Sequence, residues 1–228
     1  VHLLDEYQGG FAQYIKAPST NIAVLPDNFP LEYAVRIGYL GTAYQALKYA
    51  NVHYGSTVLI NGATGTVGTS AVLLSLAMGA TKIIAVANKK DRLEKIKQIN
   101  PSIIQTISLL DGEVTGKIRE LTNGKGAESF VDCLQYVDTI STHQCLFGIK
   151  KGGTAVLIGG ATGNINIPYG FILGTEIKIT GSLWFHTYEA NEMVNMAQAG
   201  LLKLNLLETK TFSLEQINEA INLAGSRI

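Results

Sequence analysis

From about Ser56 onward, two kinds of apolar patterning alternate along the chain. Short runs rich in Val and Ile, such as Thr57-Val58-Leu59-Ile60 and Ile83-Ile84-Ala85-Val86, predict strands at 57–61, 82–87, 103–107, 128–132, 153–158 and 176–183. Longer segments with helical spacing lie between them, at 66–79, 89–99, 112–122, 136–148 and 187–200. In the first of these, Val67, Ala71, Leu74 and Met78 fall on one face. Gly79, Gly152, Gly153 and Gly200 mark helix ends or strand starts, and Pro101 separates the second helix of this set from the next strand. Strict alternation of this kind predicts right-handed βαβ crossovers, hence a doubly wound parallel α/β sheet of the Rossmann type with helices on both faces.

The two ends read differently. Residues 1–25 carry Gly9-Gly10-Phe11-Ala12-Gln13-Tyr14-Ile15, Pro18 and Ile22-Ala23-Val24-Leu25-Pro26, which predict short strands and turns. A helix is expected from about Leu31 to Ala50. Residues 202–228 return to short strands and one helix, Leu214 to Leu223. The organisation expected is therefore part of a β-rich lobe at 1–30, a dinucleotide-binding domain at 31–200 and a return segment at 201–228.

Composition narrows the function class. The chain has 228 residues, 46% hydrophobic and 16% charged, with 18 Lys plus Arg against 18 Asp plus Glu. It can bury a core, and with a net charge of zero it has no basic excess for nucleic acid or an anionic membrane surface. No charged residue occurs from Tyr54 to Thr81, a length that could span a bilayer. Glycines 62, 65, 68 and 79, Asn61 and many hydroxyls argue instead for the interior of a parallel sheet, whose strands are apolar on both faces. Cys133 and Cys145 have neither disulfide-framework nor metal-motif spacing and read as buried thiols in a reducing compartment, so a cytoplasmic location is expected. The start at Val1 rather than Met is taken to mark a fragment.

The chemical signal is the loop Gly62-Ala63-Thr64-Gly65-Thr66-Val67-Gly68. A strand that stops in glycines and turns at once into a helix directs several N–H groups and the positive end of the helix dipole at one spot. That spot suits a phosphate or diphosphate, and the following strand completes the βαβ unit that dinucleotide binding requires.

With the loop, several other segments make the chain resemble the medium-chain dehydrogenase/reductase superfamily of zinc alcohol dehydrogenases, polyol dehydrogenases and quinone oxidoreductases. These are Gly9 to Tyr14, Leu25-Pro26-Asp27-Asn28, Gly41-Thr42-Ala43-Tyr44-Gln45-Ala46-Leu47, Met78-Gly79-Ala80, Asp91-Arg92-Leu93 and Gly181-Ser182-Leu183-Trp184. The resemblance implies hydride transfer between NADP(H) or NAD(H) and an alcohol or carbonyl compound, as in alcohol dehydrogenases. A zinc-free quinone or enone reductase and a non-catalytic nucleotide-binding protein are the alternatives. It also implies a GroES-like catalytic lobe whose larger part would precede Val1, a short strand after Ile228, and inactivity of the fragment alone. A homodimer joined through the 176–183 edge strand is implied as well.

In such an enzyme the residue closing the second strand selects the coenzyme: a carboxylate there binds the ribose hydroxyls and repels a 2′-phosphate. Here it is Ala87, followed by Asn88, Lys89, Lys90, Asp91 and Arg92. NADP is favoured over NAD, with Asn88 and Lys89 at the phosphate and Arg92 at ribose or phosphate; the alternative is a solvated first helical turn. By the resemblance, the cofactor site also takes in Gly62, Thr64, Gly65, Thr66, Val67 and Gly68. Gly159, Gly160, Ser182, Leu183 and Trp184 would lie at the carboxamide and Arg227 at the diphosphate.

Catalytic groups are less defined. The place of the third zinc ligand falls on Gly38, which has no donor, so no metal ligand is assigned in this chain and zinc stays open. Thr42 and Tyr44, with Tyr39 beside them, are weak candidates for pocket or donor roles. Of His2, His53, His143 and His186, only His186 falls near the expected cofactor edge. Cys133 closes a strand beside Asp132 with no histidine partner in view.

Overall fold

The computed structural model describes residues 10–135 and 139–225. Its centre is a six-stranded sheet, ordered β3-β2-β1-β4-β5-β6, with every pairing parallel. The strands are β1 (Thr57–Asn61), β2 (Lys82–Ala87), β3 (Ile104–Ser108), β4 (Ala127–Asp132), β5 (Ile149–Leu157) and β6 (Lys178–Gly181). The helices, in chain order, are α1 (Leu31–Ala34), α2 (Ile37–Tyr49), α3 (Thr66–Ala77), α4 (Lys90–Ile99), α5 (Val114–Leu121), α6 (Ile140–Leu146), α7 (Tyr169–Thr175), α8 (Thr187–Gln198) and α9 (Ile217–Gly225).

Side-chain alternation along the strands explains their apolar runs. Val58, Ile60, Ile83, Ala85 and Val131 face one core, built with α2, α3, α4 and α8. Leu59, Ile84, Val86 and Phe130 face the other, with Val114 and Ile118 of α5 and Cys145 and Leu146 of α6. Both faces of the sheet are thus covered, as parallel sheets require. Helix α3 packs against α2 as well as the sheet, so it is buried well beyond the single face its spacing predicts. Its serines remain compatible with that burial because Ser70 and Ser75 donate to Thr66 O and Ala71 O, at 2.9 and 2.7 Å. No helix among the described residues is long and apolar enough to cross a membrane; the charge-free stretch is β1, the glycine loop and α3.

Five expectations need correction. The strand expected at 153–158 starts earlier, at Ile149, where it pairs with Ala127 across an irregularity in the register. The helix expected over 31–50 is two helices, because the ladder tightens at Val35–Arg36, where Arg36 N–H bonds to Tyr33 O at 3.0 Å. The Arg36 side chain there donates to the Glu208 carbonyl. The strands expected in 1–25 and 202–228 are absent among the described residues, which hold only 3-10 turns at 19–21, 204–206 and 214–216 besides α9. A strand needs a neighbour with free N–H and C=O groups, and among the described residues no second sheet supplies one. Helix α7 lies outside the segments with helical spacing; it starts after Pro168 and ends where Glu176 turns left-handed at φ +55°. That turn also delays the edge strand expected at 176–183, which starts at Lys178. Finally, the helix expected over 136–148 begins at Ile140, and residues 136–138 lie outside the described ones.

Candidate cofactor crevice

The strand order reverses between β1 and β4, and at that point the loops leaving the two carboxyl ends diverge and open a crevice. The glycine loop fills its floor. Ala63 N–H bonds to Val86 O at 3.1 Å and Gly65 N–H to Gly62 O at 3.0 Å, which folds the loop tightly before α3 begins. Thr69 N–H is the first amide of α3 to find a helical partner, Gly65 O, at 2.8 Å. The amides of Thr66, Val67 and Gly68 have no hydrogen-bond partner among the described residues, and the N-cap Gly65 has no side chain to offer one. Gly65 and Thr66 are exposed at this end.

Each glycine of the loop has a distinct reason. Gly62 has φ +72°, and a Cβ there would stand 3.2 Å from the Cys133 carbonyl group. A Cβ on Gly68 would lie 2.1 Å from Gly62 O, so only glycine lets α3 start this close to the loop. A Cβ on Gly65 would meet only Gly62 O, at 3.4 Å. Gly65 is therefore not required by the fold; the space over it is open.

The neighbouring loops close on the same spot. Ile158 and Gly159 N–H groups both bond to Asp132 O at 3.0 Å, and Gly159 lies so close to Leu134 O that a Cβ would stand 1.7 Å from it. Val67, Cys133, Ile158, Gly159 and Gly160 line a small cavity of about 70 Å³. A larger cavity of about 540 Å³, between α1 and the segment after α8, shares no residue with the glycine loop.

Beneath the crevice lies a buried polar network that no sequence motif marks. Asn61 Nδ2 donates to Asp132 Oδ1 and to Ser141 Oγ, both at 3.1 Å, and Thr142 Oγ1 donates to Asp132 Oδ2 at 2.7 Å. Burial raises the Asp132 pKa above its ordinary value, although the donors Thr142, Leu134 N–H and Asn61 pull it back. Asn61 Oδ1 is buried without a partner among the described residues. The available signal was that Asn61 and Asp132 close adjacent apolar strands in register.

At the far end of the crevice, Ala87 closes β2 and is buried, while Asn88, Lys89 and Lys90 are exposed and Arg92 is half-buried. Lys90 pairs with Asp111 at 2.5 Å, whereas no ion pair to Lys89 occurs among the described residues. Ser182, just past β6, is held by Leu157 O at 3.1 Å and by Gln45 Oε1 at 3.0 Å; Leu183 beyond it is exposed. Arg227 lies outside the described residues.

The catalytic candidates separate. Thr42 Oγ1 donates back to Gly38 O at 3.0 Å, so its proton serves the helix. Tyr44 turns to α8, where Lys48 reaches Glu189 and Glu192 at 3.1 Å each; burial first, then the Glu192 hydrogen bond, push the phenol up to about 12. Tyr39 is half-exposed. His186 stands at the N-cap of α8, its N–H bonded to Glu189 Oε2 at 2.7 Å and its ring stacked on Tyr188. His143 joins Thr139 O to the Asn166 N–H, and His53 stays within its own turn, while His2 lies outside the described residues. Burial pushes the Cys133 thiol well up, away from thiolate chemistry.

Among the described residues no donor stands at the place that the resemblance gives to a zinc ligand, Gly38. No group of three or more His, Cys, Asp or Glu able to hold a metal occurs among the described residues. A Cβ at Gly38 would make one ordinary contact, with Trp184 Cη2 at 3.7 Å. Trp184 itself is exposed rather than part of the core.

Comparison with known proteins agrees with this geometry. The chain is 27% identical to an NAD-dependent alcohol dehydrogenase of Sulfurisphaera tokodaii over 95% of its own length, and 29% identical to a quinone oxidoreductase-like protein 2 homolog of Nematostella vectensis over 96%. In both cases it spans 61% of the relative's length. The fold superposes on alcohol dehydrogenase TADH from Thermus sp. ATN1 with a TM-score of 0.86, at 22% identity, covering 96% of this chain and 63% of that one. The family model for zinc-binding dehydrogenases matches residues 66–199, more than half of the sequence, and the chain belongs to that family.

Proposed function

We propose that the chain is the coenzyme-binding part of an NADP(H)-dependent oxidoreductase, alcohol dehydrogenase-like in family and reductive in its chemistry. One observation carries this reading: three unpartnered amides at the start of a 12-residue helix, opposite an unfilled glycine, at the strand-order switch of a parallel sheet. Thr66, Val67 and Gly68 would hold the diphosphate, with Gly65 allowing its approach. Thr64 and Gly62 shape the loop. Gly159, Gly160, Ser182 and Leu183 would meet the carboxamide with backbone groups. When bound, the nicotinamide supplies or takes up a hydride; the chain orients it and excludes water on the Ile158–Gly160 side.

NADP is favoured because Ala87 offers no carboxylate and Lys89 is an exposed cation beside it, while Lys90 is occupied by Asp111. Arg92 would flank the ribose. The zinc-free branch, reduction of a quinone or enone, is favoured by Gly38, which offers no donor at the place of a zinc ligand. Residues 10–30 and 201–225 are assigned to a second, β-rich lobe, because they expose Phe11, Tyr14, Ile15, Val24, Leu214 and Ile221. A homodimer through β6 is proposed from its unpaired outer edge. A folded Lys178→Pro variant that stays dimeric in sedimentation would refute that placement.

The test is coenzyme binding and turnover by the full-length protein, with NADPH, NADH and a panel of aldehydes, enones and quinones, and zinc content measured on the same sample. Tight binding without turnover of any acceptor would favour a non-catalytic nucleotide-binding protein.

A further inference from the structure

The segment leaving β6 crosses α2 on two glycines. Gly181 pairs with Leu157 in the sheet, and buried Ser182 then pins the chain to Gln45 of α2. Trp184 follows in a left-handed backbone conformation, φ +66°, which is uncommon for any residue but glycine. Strained positions of this kind concentrate where a side chain must be aimed for function. The outer edge of its ring, Cη2, reaches Gly38, 3.7 Å from the position of a Cβ, and the Phe185 ring lies over Gly41, where a Cβ would stand 2.3 Å from it. Gly38 and Gly41 are one helical turn apart, so the two rings share one floor; their centroids are 5.5 Å apart and tilted by 35°. Phe185 packs into that floor, but Trp184 stays 60% exposed at the carboxyl edge of the sheet, next in the chain to exposed Leu183.

We propose that Trp184, its ring edge against Gly38 and the rest of its ring exposed, is the wall of the substrate pocket on which a flat conjugated carbonyl acceptor, a quinone or aryl enone, stacks. This rests on the reductase reading above. Offset stacking on an aromatic face adds selectivity for planar ligands beyond the area buried. Such acceptors suit a site whose helix offers glycine in place of a metal ligand, because conjugation already polarises them. The balance is simple: the acceptor gains a hydride from the reduced nicotinamide and a proton from solvent, and the coenzyme loses two electrons.

Trp184 is the only tryptophan in the 228 residues, which gives a direct optical probe. The full-length protein is titrated with 1,4-naphthoquinone without coenzyme, and the emission difference between wild type and Trp184→Phe isolates this ring. Saturable quenching of that difference is expected. In steady state with NADPH, Trp184→Leu should lower the ratio of kcat/KM for 1,4-naphthoquinone over methyl vinyl ketone by about fivefold or more, and Trp184→Phe should restore most of it. The thermal unfolding midpoint serves as the folding control, and NADPH binding is measured alongside it. An unchanged ratio with intact turnover, or quenching that never saturates, overturns the stacking role and leaves the reductase reading standing. NADPH binding with neither acceptor reduced overturns the reductase reading, and this inference with it.

Discussion

Replacing Gly65 and Gly68 one at a time by alanine separates what the fold needs from what the ligand needs. At Gly68 the new methyl would stand 2.1 Å from Gly62 O and 2.7 Å from Ala63 Cα, both backbone atoms that cannot swing aside. The start of α3 must then move from the loop by about an ångström. Overpacking of this kind costs about 1–3 kcal/mol. For a chain of this size that lowers Tm by about 3–10 °C. At Gly65 the backbone is φ −78°, ψ 171°, which alanine adopts readily, and the methyl meets only Gly62 O at 3.4 Å. Restricting the unfolded chain should make Gly65→Ala neutral or stabilising by about 0.4–1 kcal/mol. The same methyl occupies the space through which a diphosphate must approach the Thr66 and Val67 amides. Coenzyme affinity should fall at least about tenfold, some 1.4 kcal/mol. Thermal unfolding gives the first quantity and titration of NADPH fluorescence the second, on the full-length protein. A Gly65→Ala protein that is stable and binds NADPH like wild type refutes the assignment of this loop to the diphosphate.

Other outcomes follow from the same structure. Lys89→Ala should weaken NADPH by about tenfold and leave NADH little changed, and Ala87→Asp should reverse the preference; both are read as KM ratios. Thr142→Val removes a donor that pulls the raised Asp132 pKa back toward its ordinary value. Because folding favours the protonated form of this carboxyl, its contribution to stability is greatest at acid pH and declines as pH rises through the folded pKa. The variant should therefore lose about 1–3 kcal/mol near neutrality, with the deficit shrinking on acidification, as chemical denaturation across pH would show. Glu176→Gly relieves a left-handed residue, φ +55°, and gives up only an exposed pair with Lys151, so Tm should rise by about 2–4 °C.

The sheet was legible because its strands are buried on both faces. Residues such as Val58, Leu59 and Ile60 had to be apolar without alternation, and the glycine loop had to follow β1 directly. Helix α7 was not legible: its seven residues include two glycines, and it closes at a left-handed glutamate where glycine would be the usual stop. The terminal segments misled for a different reason. Phe11, Tyr14, Ile15 and Val24 have strand-like chemistry, but pairing depends on a partner edge that no local pattern reveals. In the site, the loop glycines announced themselves, since glycine has few other uses at a strand–helix junction. The Asn61–Asp132–Thr142 network did not, because its members come from three elements and only the fold brings them together. Tyr44 belongs to the segment near the expected cleft, but its direction toward Lys48 and Glu192 is set by helix rotation that spacing alone does not settle.

The most direct test is a crystal structure of the protein grown with NADPH. The account predicts the diphosphate within about 3 Å of the Thr66 and Val67 amide nitrogens, over Gly65, with the adenosine end beside Ala87 and Lys89. Density for the coenzyme elsewhere, or an empty crevice at a saturating concentration, would contradict it.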